Sequence, residues 1–218
     1  MTLKLAIGNK NYSSWSMRPW LALKGAGIPF EEINIPLYTG PEDKQRILAI
    51  TPGGKVPALV DGDITVWDSL SIVEYLAERF PDAGLWPRDR AARAHARSVC
   101  AEMHSGFMPL RNECGMNIHR PVGAKTLSDD ARQNVARITE IWTDCRSRYG
   151  ASGPFLFGAF GAADAMYAPV IHRFRTYAIE VSGAARDYMD TMWSFAPFAE
   201  WTRAALAETL VIPRLEEG

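Results

Sequence analysis

Residues 81–90, Pro-Asp-Ala-Gly-Leu-Trp-Pro-Arg-Asp-Arg, hold two prolines and a glycine directly after a helical pattern, and they divide the chain into parts of different periodicity. Upstream, strand and helix signals alternate. Residues 3–8 (LKLAIG) read as a short apolar strand, and 17–24 as a helix stopped by Gly25 and Gly27. Residues 29–37 set Phe30, Ile33 and Ile35 among polar partners, a second strand, and 41–48 form a short helix. Residues 56–60 and 64–67 are strands joined at Asp61-Gly62-Asp63, a hairpin signature. From Ser69, Leu70, Val73, Leu76, Ala77 and Phe80 share one helical face. The order is β-α-β-α-β-β-α. Downstream the strand signals nearly vanish, and helices are expected over 90–117, 128–149, 162–177, 184–193 and 197–206, with Pro109 and Pro169 kinking or interrupting two of them. The expectation is an α/β domain over 1–81, a linker over 82–89 and an all-helical domain over 90–218.

Composition removes several classes of function. Lys and Arg number 24 against 25 Asp and Glu, a net charge of −1, so nothing draws the chain as a whole to polyanions and nucleic acid is not the expected partner. At 218 residues, folding buries roughly 70% of the unfolded surface and needs no covalent staples. Cys100, Cys114 and Cys145 are odd in number and lack CxxC spacing, which fits neither a disulfide framework nor a zinc ribbon. No apolar run approaches the ~18 residues of a membrane span, and Met1 to Leu5 has no signal-peptide core. A soluble cytoplasmic protein without a membrane partner is expected. His95, His104, His119 and His172 match no paired metal spacing, so no metal is expected. Arg90, Arg93 and Arg97 share a helical face that reads as solvated or as a subunit contact.

Three stretches can carry chemistry. In Tyr12-Ser13-Ser14-Trp15-Ser16-Met17-Arg18-Pro19, proline is tolerated only in a first helical turn, so the helix starts near Ser16 to Arg18 with Ser16 as the natural cap. Ser13 and Ser14 then precede a helix N-terminus, where backbone N–H groups and the macrodipole favour an anion. The same serines also read as plain turn and cap residues, and no G-x-S-x-G elbow surrounds them. In Thr51-Pro52-Gly53-Gly54-Lys55-Val56-Pro57-Ala58-Leu59, the phosphate-loop pattern fails because Val56 follows the lysine. A cis Val56–Pro57 bond would turn the Val56 backbone outward for an extended peptide ligand, while a trans proline in a rigid loop fits the local residues equally. Asp68-Ser69 opens a helix, with Ser69 the candidate cap. It reads either as simple capping or as a clamp for an amino-acid head group, with the carboxylate on the helix end and the ammonium on Asp68.

In this order and spacing, Ser13-Ser14-Trp15-Ser16-Met17-Arg18, LALKGAGIPFEEINI, TPGGKVPAL and DSLSIVEYLAERFP resemble a cytosolic glutathione transferase, and the SSxSxR element resembles the serine-dependent zeta class. The resemblance is strong over residues 3–82. Over 88–218 it rests on the helical plan and on Phe157-Gly158-Ala159-Phe160-Gly161-Ala162-Ala163-Asp164, which is similar to the family motif opening the central helix of the second domain. It implies an α/β thioredoxin-like N-terminal domain plus an all-α C-terminal domain, the glutathione transferase fold, and a homodimer acting in detoxification. It implies that Ser13, with Ser14 second, is the catalytic serine. Val56, beside a cis Pro57, would meet the cysteinyl backbone of glutathione, Asp68 and Ser69 the γ-glutamyl head, and Lys55 the glycyl carboxylate. Gly161 departs from the family's usual Ser or Thr cap, which predicts a small loss of stability.

A cysteine-type thiol has a pKa of about 8.5, and its thiolate is the nucleophile. A hydroxyl donating to a charged acceptor contributes about 1.5–3 kcal/mol, and a helix N-terminus about 0.3–1 kcal/mol more. Together these lower the thiol pKa by about 1.5–3 units. The serine therefore stabilises a thiolate and is not itself a nucleophile. The electrophile, a small hydrophobic molecule, is expected over the sulfur, between a wall carrying Met103, Phe107 and Arg111 and an opposite wall of Tyr12 and Trp15, although Trp15 also fits a packing role under the first helix. No cysteine precedes Cys100, which removes mixed-disulfide chemistry from the 13–14 corner. Two alternatives stand beside conjugation. One is a glutathione-dependent isomerase of the maleylacetoacetate type, which needs basic groups such as Arg18 and Arg111 for its substrate's carboxylates. The other is a non-catalytic binding or scaffold protein of the same fold.

Overall fold

The computed structural model describes residues 2–216; Met1, Glu217 and Gly218, the outermost residues of the two expected domains, lie outside the described residues. The first part follows the expected order: β1 (Leu3–Ile7), α1 (Ser14–Gly25), β2 (Phe30–Asn34), α2 (Glu42–Leu48), β3 (Ala58–Asp61), β4 (Ile64–Trp67) and α3 (Ser69–Arg79). The four strands form one sheet in the order β2-β1-β3-β4. β1 runs parallel to β2, with Leu3 opposite Phe30, and antiparallel to β3, with Leu5 opposite Leu59. β3 turns into antiparallel β4 through Gly62, whose φ of +59° is the backbone a tight hairpin needs and glycine supplies without strain. Leu3, Leu5 and Ile7 are all buried in the main core, as befits an inner strand.

The second part is helical: α4 (Arg90–Ser105), α5 (Met108–Glu113), α6 (Asp129–Tyr149), α7 (Ala162–Thr176), α8 (Gly183–Ser194) and α9 (Ala196–Leu206). An N-terminal α/β domain and a C-terminal helical domain thus share the chain. α7 is buried on nearly every side, its Asp164, His172 and Arg173 included, and packs against α1, α4 and α8, so it is the central helix that joins the two parts.

Proline acts differently at the two helical sites. The expected helix over 90–117 is broken into α4 and α5, with Pro109 in the first turn of α5. The break falls at Gly106 and Phe107: a Cβ at Gly106 would stand 2.7 Å from the Glu102 carbonyl oxygen, and Phe107 takes a φ of +61°. Pro169, by contrast, does not interrupt α7. Packing on several sides outweighs the one backbone bond that its missing N–H removes. Gly161 caps α7, and the Asp164 carboxylate accepts from the N–H groups of Gly161 (2.8 Å) and Leu156 (3.1 Å). A Cβ at Gly161 would lie 2.9 Å from the Leu85 carbonyl oxygen, which accounts for glycine at this cap.

Candidate functional site

At the start of α1, Ser13 is the cap, and Ser16 lies one turn inside the helix. The Ser13 hydroxyl accepts from the Ser16 N–H (3.3 Å) and donates to the Ser16 hydroxyl (2.8 Å), which in turn accepts from the Gly8 N–H (3.0 Å). Ser16 does not cap because its hydroxyl is spent on the end of β1. Pro19 consequently sits in the helix interior, where its missing N–H leaves the Trp15 carbonyl without its usual partner. The neighbouring Ser14 hydroxyl is buried and accepts from Arg173 Nη2 of α7 (3.3 Å), while its own proton meets no acceptor among the described residues.

A cleft of about 460 Å³ opens beside this corner, lined by Trp15, Gly53, Lys55, Val56, Pro57, Trp67, Asp68 and Ser69. The Val56–Pro57 peptide bond is cis. Asp68, and not Ser69, is the cap of α3: one carboxylate oxygen accepts from the Leu70 (2.9 Å) and Ser71 (3.3 Å) N–H groups while the backbone takes a φ of +75°. A non-glycine residue there is strained, and such strain gathers at functional sites. Ser69 becomes the first helical residue. It is 0% exposed, its hydroxyl has no hydrogen-bond partner, and its N–H is the one of this first turn that Asp68 does not take. The sequence reading of Lys55, Val56, Pro57, Asp68 and Ser69 therefore describes residues that line one cleft. It missed Gly53 and Trp67. A Cβ at Gly53 would fall 2.8 Å from the Trp67 ring, and Trp67 itself is 46% exposed, an unusual fraction for tryptophan.

The expected electrophile walls are arranged less openly. Trp15 is 36% exposed and lines the cleft. Tyr12 is buried under the C-terminal segment; its hydroxyl donates to Glu216 (2.5 Å) and accepts from the Ile212 N–H (3.3 Å). Met103 and Phe107 are buried. The Arg111 guanidinium is tied to the carbonyls of Gly106 and Met103 and lies 4.9 Å from the Trp15 ring centre. Arg18 stacks on the same ring at 4.3 Å, fully buried, with Nε and Nη1 lacking partners. Burial, and after it the like charges of Arg111 and Arg173, push the Arg18 pKa well down. These three arginines line a void of about 10 Å³ with Met103 and Phe107.

His104 of α4, read from the sequence only as a structural histidine, has Nε2 3.3 Å from Asp68 Oδ2 and meets Trp15 edge to face at 5.3 Å. The three cysteines are buried, and burial drives the Cys145 thiol up to about 12 and Cys100 well up, so neither is a nucleophile at neutral pH. Among the described residues no helix is long and apolar enough to cross a membrane, and no group of three or more acidic, histidine or cysteine side chains is placed to hold a metal ion.

The family described as glutathione S-transferase, N-terminal domain, matches residues 12–79, and that described as glutathione S-transferase, C-terminal domain, matches 125–216. Glutathione S-transferase 1 of Dianthus caryophyllus is 31% identical over 172 residues, 78% of this chain and 77% of that protein. A probable maleylacetoacetate isomerase of Caenorhabditis elegans is 39% identical over 100 residues, 45% of each chain. A Burkholderia glutathione transferase homologue with bound glutathione superposes with a TM-score of 0.72 at 23% identity, over 95% of this chain and 100% of that one, which establishes the shared fold. Matched in both halves by the two domain families, and related above 30% identity to a transferase over three quarters of each sequence, the chain belongs to the glutathione S-transferase family.

Proposed function

We propose that the protein is a glutathione transferase whose cleft between Val56 and Ser69 takes the tripeptide. The observation that carries this reading is the Ser69 hydroxyl, buried without a partner at a helix N-terminus beside a strained Asp68. A carboxylate accepting from that hydroxyl and from the Ser69 N–H, with its neighbouring ammonium on Asp68, is the head of an α-amino acid, which glutathione presents through its γ-glutamyl unit. The backbone of Val56 pairs with the cysteinyl residue, and Lys55 faces the glycyl carboxylate.

The thiol then reaches the 13–14 corner. Ser13 ranks first by resemblance, yet its proton is committed to Ser16, whereas the Ser14 oxygen accepts from a guanidinium and its proton is free. Ser14 is therefore the donor to the thiolate, and Ser13 holds the helix end. The thiol proton leaves to solvent, the sulfur attacks an electrophile seated over Trp15, and a C–S bond forms as the leaving group departs or the added double bond takes up a proton. Residues 1–81 serve glutathione, 82–89 link, and 90–218 supply the electrophile wall. The protein works as a cytoplasmic homodimer in detoxification of small hydrophobic electrophiles.

The buried, uncompensated Arg18 and its neighbours Arg111 and Arg173 favour a second reading, in which the electrophile is a maleyl diacid and the sulfur leaves again after cis–trans rotation, as the name of the worm relative suggests. Retention on immobilised glutathione followed by turnover assays decides. Conjugation of an aromatic halide is the expected result, isomerisation of the diacid alone selects the second reading, and failure both to bind and to turn over refutes a glutathione-dependent enzyme.

A further inference from the structure

Among the described residues, His104 is the one titratable side chain that pairs with Asp68 Oδ2, the oxygen its capping bonds leave free. It reaches Asp68 from α4, the first helix of the second domain, and Trp15 holds its ring from α1. Its other nitrogen, Nδ1, is buried without a partner, so one face of the ring is fixed on Asp68 and nothing on the opposite side competes for it. The charged and titratable groups around it are few. Asp68 faces it from the start of α3, and Glu74, Tyr75 and Glu78 of α3 line the same groove. Arg18 of α1 and Arg111 of α5 bear on it through space with the opposite sign.

Resting on the reading of the cleft as a glutathione site, we infer that His104 is a positioning residue that holds the Asp68 carboxylate in place and, once protonated, competes with the γ-glutamyl ammonium for it, so that tripeptide binding weakens in acid. Neutral His104 leaves the full carboxylate charge to the incoming ammonium. The imidazolium sets a second cation against the same two oxygens, in a neighbourhood where Arg18 and Arg111 already supply positive charge. Burial and these arginines hold the His104 pKa below its ordinary value against the pull of Asp68, so the competition sets in on the acid side of the ordinary imidazole range. Linkage fixes the sign: a ligand that prefers the deprotonated form binds tighter as pH rises through that pKa.

The test uses S-methylglutathione, whose blocked thiol cannot titrate and whose ammonium and carboxylates keep their charges between about pH 5 and 7. Its dissociation constant is measured by calorimetry on the intact protein across that range. The wild type is expected to bind severalfold more weakly at pH 5 than at pH 7, tenfold being the limit that one unit of displacement of the His104 pKa by the ammonium allows. His104→Gln, which places a non-titrating amide in the same position, is expected to show no such slope. An S-methyl tripeptide lacking the γ-glutamyl amine is expected to show none with the wild type, a readout independent of how any variant folds. A slope that persists in His104→Gln, or wild-type affinity that rises in acid, overturns the coupling while leaving the cleft assignment intact. Absence of binding by the wild type at every pH overturns the cleft assignment itself and the coupling with it.

Discussion

Replacing Ser14 by alanine removes the corner hydroxyl that accepts from Arg173 and whose own proton meets no acceptor among the described residues, and the consequence can be sized. A neutral donor to a charged acceptor contributes about 1.5–3 kcal/mol, which at 1.36 kcal/mol per unit is about 1–2 units of thiol pKa. The oxygen that makes this bond is polarised by Arg173, whose second nitrogen is anchored on the Cys114 carbonyl, so the guanidinium cannot swing away to relax the geometry. Ser14→Ala should therefore raise the pKa of bound glutathione by about 1–2 units, read as thiolate absorbance in an ultraviolet pH titration. Conjugation at pH 6.5 should fall by about ten- to a hundredfold and recover in alkali, because the fraction of thiolate and not its reactivity is lost. Ser13→Ala supplies the contrast. It removes the cap of α1 and should cost about 1 kcal/mol of stability, with a smaller shift of the thiol. An unmoved thiol in Ser14→Ala together with a shift of a unit or more in Ser13→Ala would refute this reasoning and return the role to Ser13.

Two further outcomes follow from groups that lack or resist charge. Ser69→Ala deletes a buried hydroxyl that has no partner within the protein, so the melting temperature should hold or rise while the glutathione dissociation constant weakens by about tenfold or more; destabilisation without loss of binding would show the hydroxyl to be structural. His172 is buried, stacked on Phe198, and burial presses its pKa down to about 3. Since the unfolded imidazole titrates near 6.5, the unfolded state binds the extra proton between these values and stability falls as pH drops from about 6.5 toward 3. His172→Phe should accordingly move the acid unfolding midpoint to lower pH in a far-ultraviolet circular dichroism titration, and an unchanged midpoint would assign acid sensitivity elsewhere.

What the residues reveal of this fold depends on how far away the deciding partner lies. The change of periodicity at 81–90, the hairpin at Asp61-Gly62-Asp63 and the order of strands and helices are set by neighbours a few positions apart, and they are legible. The helix caps are not, although both lie within three residues of the expected ones. Ser16 loses the capping role because Gly8, eight positions back, takes its hydroxyl. Asp68 takes it from Ser69 because its backbone accepts a positive φ, which no propensity anticipates. Pro169 is harmless where a local rule expects a break, since α7 is held from several sides.

The same distinction separates the two halves of the candidate site. The cleft proposed for glutathione is contiguous: residues 53–57 and 67–69 are short segments whose own cis bond, hairpin and helix start present their groups, so sequence order alone carries most of it. The side proposed for the electrophile is assembled from α1, α4, α5, α7 and the C-terminal segment. Tyr12 is closed over by Glu216, 204 positions later, and Ser14 is polarised by Arg173, 159 positions later. His104 illustrates the cost of that arrangement to any sequence reading. As a lone histidine in a helix it matches no motif, and only the fold brings it, on α4, to the Asp68 carboxylate that we propose receives the ammonium group. Recognition of the shared tripeptide can thus persist while the second substrate varies. The former rests on local backbone geometry, and the latter on long-range packing that a few substitutions in separate helices can remodel.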